Sequence, residues 1–211
     1  MTRLRTVALL AREPGLAVLR GALLNDPALD LVAVATHGRL PKAEGGGPRR
    51  EVEDYRRCLE PRGVPLLVVD PPQSRDLGRL LPDGADLMIS VSWRSLVAAD
   101  VLDRFALGAI NLHRGALPAY AGAEPVRRAI EAGETRIAIT AHHMSPEIDQ
   151  GPEIARIWLD IPPMSAGVSS VALAETVKAA LVPLYGPLAH LAITAVAATR
   201  GLPRRVQLGA A

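Results

Sequence analysis

Short apolar segments rich in Val, Ile and Leu recur through the first half of the chain. They occupy residues 6–11, 30–36, 64–70, 85–92 and 108–113. Because apolar and polar residues do not alternate within them, these segments are typical of β-strands that are covered on both faces. The pattern therefore predicts five buried strands.

Segments with a helical pattern separate these strands. They cover residues 15–26, 48–63, 74–84 and 95–108, and several of them end at Gly, the usual residue of a left-handed helix cap. A chain in which strands and helices alternate forms a parallel sheet with right-handed crossover connections. The predicted fold class is therefore α/β, with a three-layer, Rossmann-like and mostly parallel sheet.

The pattern changes after the fifth strand. Residues 124–134 predict a helix that ends near Gly133, and residues 135–144 and 151–161 alternate as half-exposed strands do. Two such strands joined by a short loop are normally antiparallel neighbours. We therefore expect an antiparallel hairpin at the C-terminal side of the sheet.

The last long apolar segment, residues 170–199, predicts helices. Pro183 and the pair Gly186-Pro187 are expected to break or kink them. Residues 201–211 are expected to form a frayed tail. The apolar C-terminal helix leaves formation of a homodimer open.

Composition and charge narrow the class of protein. About half of the residues, 49%, are hydrophobic, which is enough for a substantial core. The formal net charge is +2 and is spread over many Arg residues, since Lys42 and Lys178 are the only lysines. A nucleic-acid-binding protein normally gathers its positive charge on one face, so we expect no nucleic-acid partner.

The remaining compositional signals concern the cellular compartment. The single cysteine, Cys58, excludes an internal disulfide and a multi-cysteine zinc site, which fits the reducing cytosol. The apolar run near the N-terminus is too short for a signal-peptide core, and no window approaches the roughly 18 uninterrupted apolar residues of a membrane span. We therefore expect a cytoplasmic protein without membrane contacts.

Two polar residues stand at the end of the fifth predicted strand. In "AINLH", Asn111 and His113 are two positions apart, so their side chains share one face at the carboxyl edge of the sheet. Ligands of open α/β sheets bind at that edge. The alternative interpretation is structural: an Asn that caps a turn and a buried His whose ring nitrogens are hydrogen-bonded.

A carboxylate follows in the loop of the predicted hairpin. The loop "SPEIDQG" contains Asp149 between the two strands, and the preceding strand ends in "AHHM". An amide, an imidazole and a carboxylate at one sheet edge suit acyl transfer to an amine. The amide can donate to an oxyanion, the imidazole can hold a proton, and the carboxylate can orient the imidazole.

The segment "INLHRGALPAYAGAEPVRRAIEAGETRIAITAHHMSPEIDQGPEI" resembles the signature region of the folate-dependent formyltransferases. This family includes glycinamide ribonucleotide, methionyl-tRNA and amino-sugar formyltransferases. Its pattern is Asn-x-His, then Leu-Pro with an aromatic residue and Gly, then an Asp-x-Gly-Pro loop. Leu117-Pro118 and Gly122 stand at the family spacing, and the resemblance extends over roughly residues 86–160.

The resemblance implies an enzyme that transfers a formyl group from 10-formyltetrahydrofolate, a co-substrate, to the amine of a small acceptor, without a metal. It implies that Asn111, His113 and Asp149 are catalytic. The residues that it places around the donor are Ser92, Trp93, Leu96, His142, Ser145, Pro146, Glu147 and Ile148. Those that we expect at the acceptor are Arg114, Gly115 and Tyr120. His142 matches a His that some members carry beside the site.

The resemblance also implies a domain organisation. The resemblance is compatible with a single formyltransferase-like domain over residues 1–211. Within it we distinguish a βα-rich half (residues 1–105), a catalytic half (106–165), and C-terminal helices with a tail (166–211).

Departures from the family pattern bear on the acceptor. Ribose-phosphate-binding members carry a Gly-Ser/Thr-Asn loop after the first strand, where this chain reads "AREPGLAV". The transfer-RNA-directed members carry an added C-terminal β-barrel, which this sequence does not contain. We therefore expect the acceptor to be a small molecule such as an amino sugar, an amino acid or a secondary metabolite.

Other departures lie beside the expected site. Arg114-Gly115 replaces the Pro-Ser that usually follows the His, and Arg114 either meets an anionic part of the acceptor or faces solvent. Trp93 and Arg94 replace small or aliphatic residues. Trp93 either stacks on a flat ring of the donor or is a core aromatic, and bulk at these positions could close the donor pocket.

Three alternatives stay open at this level. The first is hydrolysis of the formyl donor, with water as acceptor. The second is a catalytically silent subunit that binds folate or a nucleotide. The third concerns residues 37–50, whose three consecutive glycines suit either a connector or a lid.

Overall fold

The computed structural model describes residues 3–199, and a seven-stranded sheet forms its centre. The expected tail at residues 201–211 lies outside the described part. Strands form at all seven predicted places, with bounds β1 Leu4–Leu10, β2 Leu29–Thr36, β3 Leu66–Val68, β4 Leu87–Val91, β5 Ala109–His113, β6 Arg136–His143 and β7 Glu153–Asp160. The predicted burial on both faces is wrong for β3, which lies at the edge of the sheet and is half-buried to exposed.

The sheet has the order β3-β2-β1-β4-β5-β6-β7. Pairs among the first five strands are parallel, whereas β6 is antiparallel to both β5 and β7. The chain reverses its direction of growth between β1 and β4, which creates a switch point where α/β proteins bind ligands. The predicted mostly parallel sheet with an antiparallel hairpin is therefore confirmed.

Helices cover both faces of the sheet. They are α1 Arg12–Val18, α2 Glu51–Leu59, α3 Leu77–Leu80, α4 Ala99–Leu102, α5 Pro125–Glu131, α6 Ser170–Leu181 and α7 Tyr185–Ala198. A π-helical turn, Leu19–Leu23, continues α1. Short 3-10 turns occur at Lys42–Glu44, Glu60–Arg62, Gln73–Arg75 and Val182–Leu184.

Alternate residues of β1 belong to two separate apolar cores, as period-2 geometry requires. Ala8 and Leu10 pack in the core beneath α1, α2, α6 and α7. Val7 and Leu9 pack in the smaller core beneath α3 and α4, together with Phe105. The three layers of the fold follow from this division, and the fully buried strands hold their carboxyl ends in fixed positions.

Two helical expectations are wrong. The structure contains only Ala99–Leu102 where residues 95–108 were expected to be helical. The chain leaves the helix because the N–H of Leu107 donates to the Asp86 carbonyl, so it is turned towards the start of β4. Residues 74–84 likewise form only a 3-10 turn and the single turn of α3.

The two expected breaks in the C-terminal segment behave differently. The break at Pro183 is present, because this residue lies in the 3-10 turn between α6 and α7. Gly186 and Pro187 instead stand in the first turn of α7, where proline has no helical N–H bond to lose. Gly186 also lets α7 approach closely, since a Cβ on Gly21 would lie 3.1 Å from its Cα.

The helical segment Ser170–Ala198 is long and apolar enough to cross a membrane, by length and composition alone. In its most apolar window 44% of the residues are buried inside the protein. Burial of this kind is also typical of helices that cover the core of a soluble domain.

Candidate active site

Asn111 and His113 lie at the carboxyl end of β5 and face the same side of the sheet. The side chain of His113 is 9% exposed, as is that of Asp149, which comes from the loop between β6 and β7. Nδ1 of His113 lies 3.1 Å from Oδ2 of Asp149. Nδ2 of Asn111 lies 3.4 Å from Oδ1 of the same carboxylate. The structure therefore brings the amide, the imidazole and the carboxylate together.

Both ring nitrogens of His113 have partners. Nε2 lies 2.7 Å from the backbone carbonyl oxygen of Tyr120. Because a carbonyl oxygen only accepts, this nitrogen carries a proton. Nδ1 is then the nitrogen that receives or releases a proton, and it faces Asp149. The loop after β5 thus fixes both the orientation of the ring and its reactive nitrogen.

Asp149 accepts from the backbone N–H of Gly122 and from Nδ2 of Asn111. Its Oδ2 accepts from the backbone N–H of Gly122 at 2.9 Å. Its Oδ1 lies 3.5 Å from Nε2 of His142. The residue has a φ of 54°, in the left-handed region that Asp tolerates better than most residues. The turn therefore directs the carboxylate inwards, towards β5.

His142 orients the amide of Asn111. The two residues are directly opposite in the antiparallel ladder of β5 and β6. Nδ1 of His142 donates to the carbonyl oxygen of His143 at 2.8 Å, which leaves Nε2 as an acceptor in the neutral ring. Nδ2 of Asn111 donates to this Nε2 at 3.1 Å. The amide nitrogen, rather than the amide oxygen, is thereby held on the side of the imidazoles.

The site favours a neutral imidazole beside an ionised carboxylate. Burial lowers the pKa of His113 below its ordinary value, although Asp149 acts in the opposite direction. Burial raises the pKa of Asp149, but His142, His113 and the Gly122 N–H together lower it by more, so the net shift is downwards. A neutral His and a carboxylate are the states that can accept a proton from an amine.

The loop that carries Asp149 requires a glycine two residues later, at position 151. A Cβ at this position would lie 1.7 Å from the carbonyl oxygen of His143. The backbone N–H of His143 donates to the carbonyl oxygen of Pro152 at 2.9 Å. The Asp-x-Gly-Pro pattern therefore closes the loop directly on the end of β6.

Two cavities meet at this group of side chains. The larger, of about 1100 Å³, is open and is lined by the ends of β1, β4 and β5 and by α6 and α7. The smaller, of about 110 Å³, lies towards β6 and the Asp149 loop. Asn111 and Asp149 line both cavities. The arrangement can hold one ligand on each side of the reacting groups.

Most of the residues expected around the donor line the smaller cavity. These are Trp93, Leu96, His142, Ser145, Glu147 and Ile148. Ser92 lines the larger cavity instead. Pro146 is exposed in the loop and lines neither cavity.

Trp93 and Arg94 are both engaged with the protein. The Trp93 ring stacks on the ring of His37, with centroids 4.0 Å apart and planes at 20°. The guanidinium of Arg94 turns towards Asp70, with Nη2 at 2.9 Å from Oδ1. Trp93 still lines both cavities, so it is at once a packing residue and part of the cavity wall.

The residues expected at the acceptor are placed differently. Arg114 lines the larger cavity. Gly115 is buried, and a Cβ there would lie 2.8 Å from Nε2 of His113. The hydroxyl of Tyr120 donates to Glu134 at 2.7 Å, away from the cavity. Neither Gly115 nor Tyr120 lines the larger cavity, and acceptor contacts there stay a prediction. Both residues position His113, Gly115 by its lack of a side chain and Tyr120 by its carbonyl.

Sequence reasoning missed several residues of this site. The N–H of Gly122 and the carbonyl of Tyr120 act through the backbone, where residue type carries little signal. Lys178 and Tyr185 reach the larger cavity from the C-terminal helices. Tyr185 lies 71 positions from its partner Arg114 in the chain, and no local spacing could have revealed the contact.

Among residues 3–199 there is no group of three or more His, Cys, Asp or Glu side chains arranged to hold a metal ion. The glycine-rich segment 37–50 folds back on itself through the bridge between Arg39 and Pro48. Its Glu44 reaches the wall of the larger cavity and forms an ion pair with Arg12.

Comparison with known sequences gives a family match. The sequence model of the family described as formyl transferase matches residues 73–180. The chain is 36% identical over 118 residues to a methionyl-tRNA formyltransferase of Rhodopirellula baltica, covering 54% of this chain and 33% of that protein. It is 35% identical over 141 residues to a methionyl-tRNA formyltransferase of Mycobacterium tuberculosis, covering 66% and 44%. The chain thus spans less than half the length of these relatives.

Solved structures share the fold. Glycinamide ribonucleotide transformylase 1 from Symbiobacterium toebii superposes with a TM-score of 0.67 at 22% identity, covering 92% of this chain and 88% of that one. A formyltetrahydrofolate deformylase from Pseudomonas syringae superposes with a TM-score of 0.64 at 19% identity, covering 93% and 60%. These likenesses agree with the α/β sheet described above.

Proposed function

The chain belongs to the formyl transferase family, and we propose that it is an enzyme that transfers a formyl group from 10-formyltetrahydrofolate to the amine of a small acceptor. The observation that carries this proposal is the convergence of Asn111, His113 and Asp149 at the junction of two cavities. One cavity offers a place for the donor and the other a place for the acceptor.

In this proposal the acceptor amine attacks the formyl carbon, and the carbonyl oxygen gains negative charge. Nδ2 of Asn111 donates to that oxygen. Its contact with Asp149 is the longer of its two contacts, 3.4 Å against 3.1 Å to His142, so the substrate oxygen can take the place of the Asp149 carboxylate as acceptor of this N–H. His142 keeps the amide oriented throughout the exchange.

In this mechanism His113 and Asp149 transfer the protons. The attacking nitrogen must lose a proton, and the folate nitrogen that leaves the formyl carbon must gain one. Nδ1 of His113 and the carboxylate, 3.1 Å apart, can hold that proton between them, directly or through a water molecule. The Tyr120 carbonyl and the Gly122 N–H keep the pair in this geometry.

The smaller cavity supports the assignment of the donor. Leu96 and Ile148 at its wall are 65% and 59% exposed, which is unusual for large apolar side chains and suits a flat, partly apolar ring. Arg94 turns to Asp70, and Trp93 packs on His37, so both side chains are drawn to the wall. This arrangement favours an accessible donor pocket.

The charges around the larger cavity favour a small acceptor. Arg12, Arg94 and Lys178 on its wall are each paired with a carboxylate. A nucleic-acid backbone is normally bound by unpaired, clustered positive charge. The names of the sequence relatives indicate methionyl-tRNA as the acceptor of those proteins. For this chain, an amino sugar, an amino acid or a related metabolite fits the charges around the larger cavity better than transfer RNA does.

The test is turnover of 10-formyltetrahydrofolate with a panel of small amines and with unformylated methionyl-tRNA. Release of tetrahydrofolate, the formylated product and formate are measured separately. Asn111→Ala and Asp149→Ala should each lower the rate about 10²- to 10³-fold, as loss of an oxyanion donor or its partner does, with an unchanged unfolding temperature. Asn25→Ala, at the only other Asn of the chain, is the matched control.

Each alternative has its own outcome in this assay. Formate release without an amine would indicate a hydrolase. Donor binding without turnover would indicate a silent subunit. Formylation of methionyl-tRNA alone would overturn the small acceptor, and near-normal turnover in either site variant would contradict the roles given to Asn111 and Asp149.

A further inference from the structure

The positively charged side chains on the wall of the larger cavity differ in whether a carboxylate of the protein pairs with them. Three of them form ion pairs: Arg12 with Glu44, Arg94 with Asp70 at 2.9 Å, and Lys178 with Glu124 at 3.1 Å and Glu175 at 2.9 Å. Arg114 lines the same cavity and has no carboxylate within ion-pair distance among the described residues. The charge beside His113 is therefore uncompensated by the protein.

Arg114 is nevertheless held in place. Its Nε donates to the hydroxyl of Tyr185 at 3.3 Å. Tyr185 is the first residue of α7 and is 1% exposed, so this hydroxyl is a rigid anchor. A flexible surface arginine in solvent has no such anchor. The contact fixes the guanidinium at the cavity wall before any ligand arrives.

The anchor also decides which part of the guanidinium is available. Because Nε is engaged, the two terminal nitrogens, Nη1 and Nη2, remain, and they have no hydrogen-bond partner among residues 3–199. Together they form the planar end of the group, which matches the two oxygens of a carboxylate or a phosphate. A neutral or cationic ligand would leave this end without a matching acceptor.

We propose that Arg114 binds an oxyanion, a carboxylate or a phosphate, that the acceptor carries close to its reacting amine. This inference rests on the proposed formyl transfer and specifies the acceptor as an anionic amine. His113, Asp149 and Arg114 all line the larger cavity, so one ligand can place its amine at the proton-transfer pair and its anion at Arg114. An amino acid or a phosphorylated amino sugar has its charges at such a separation.

The first experiment measures anion binding without turnover. Inorganic phosphate is titrated by 31P NMR and labelled acetate by 13C NMR at low ionic strength, against wild type, Arg114→Gln and Tyr185→Phe. Arg127→Gln, an exposed arginine on α5, is the charge-matched control. Loss of a charge-assisted hydrogen-bond pair should weaken binding of the preferred anion about ten- to hundredfold in Arg114→Gln. Tyr185→Phe should weaken it less, and the control not at all.

The outcomes of this titration are decisive in both directions. If phosphate is the anion whose binding depends on Arg114, the acceptor carries a phosphate. If it is acetate, the acceptor carries a carboxylate. Equal binding in wild type and Arg114→Gln would overturn the proposal, as would the lack of saturable binding in wild type. Arg114→Lys keeps the charge without the planar end, so it should restore only part of the binding.

The second experiment uses matched pairs of acceptors in the transfer assay. Glycine is compared with glycinamide, and glucosamine 6-phosphate with glucosamine. The anionic member of at least one pair should have the higher kcat/KM in wild type and should lose this advantage in Arg114→Gln, mainly through a higher KM. An advantage that persists in the variant would contradict the assignment. Failure of formyl transfer itself would appear as no turnover in wild type, while the NMR titration still decides whether Arg114 binds an anion.

Discussion

His37 provides a quantitative test of how the cavity wall is built. Its ring is fully buried and stacks on Trp93. Nδ1 lies 2.8 Å from the Val69 carbonyl, and Nε2 accepts from the backbone N–H of Arg94 at 3.3 Å. Burial lowers the pKa of His37 to about 4, and the positive charge of Arg94 adds to this effect. The folded protein therefore keeps this ring neutral.

The shift has a defined consequence for stability. In the unfolded chain His37 titrates near the ordinary value of 6.5, whereas in the folded protein it titrates at about 4. Between these values the unfolded state binds more protons, so the free energy of unfolding falls as the pH falls. At 1.36 kcal/mol per pKa unit, a fall from about pH 7.5 to about pH 5 removes about 2 kcal/mol through this residue alone.

The assay compares wild type with His37→Asn by urea unfolding at both pH values. Asparagine does not titrate, and its amide can still donate to the Val69 carbonyl. His113 and Asp149 titrate in both proteins, so their contributions cancel in the double difference. Wild type should lose about 2 kcal/mol more than the variant. Equal losses would refute the reasoning, and so would a 15N spectrum of wild type that showed His37 protonated at about pH 5.5.

Two further predictions concern the loop that carries Asp149. Gly151→Ala places a methyl group against the His143 carbonyl, so the loop must move; we expect a loss of more than about 1 kcal/mol in unfolding free energy together with loss of turnover, whereas Gly47→Ala, where a Cβ meets nothing, should change neither. An unaltered unfolding curve for Gly151→Ala would contradict this packing. Ile148→Ser should raise the KM for the donor about tenfold without changing the unfolding temperature, because its exposed side chain lines the smaller cavity. Leu191→Ser, equally apolar and exposed on α7, is the control, and the same KM in both variants would exclude Ile148 from donor binding.

The strands and the face shared by Asn111 and His113 could be predicted because they depend on local spacing. Side chains two positions apart on a strand point the same way whatever surrounds them. The apolar segments are continuous because the sheet is covered on both faces. The hairpin loop likewise placed Asp149 near the same edge. These features needed only the order of residues along the chain.

The helical errors have a different cause. Residues 95–108 have an adequate helical pattern, yet the backbone of Leu107 bonds to Asp86 and leaves only α4. Gly186 and Pro187 are residue types that normally interrupt helices. They are part of α7 because the helix begins at Tyr185, and its first turn tolerates proline. In both cases a contact or position set by the tertiary structure outweighed the local preference.

The sequence by itself determined the α/β fold, the order of its strands and helices, and the three side chains able to perform acyl transfer, because periodicity and residue chemistry are properties of the chain. Only the tertiary structure decided which nitrogen of His113 faces Asp149, that the Tyr120 carbonyl rather than its hydroxyl serves the site, and that Tyr185 anchors Arg114. These are contacts between residues far apart in the chain or made through the backbone, and their geometry exists only once the two apolar cores have packed the strand ends and the C-terminal helices together.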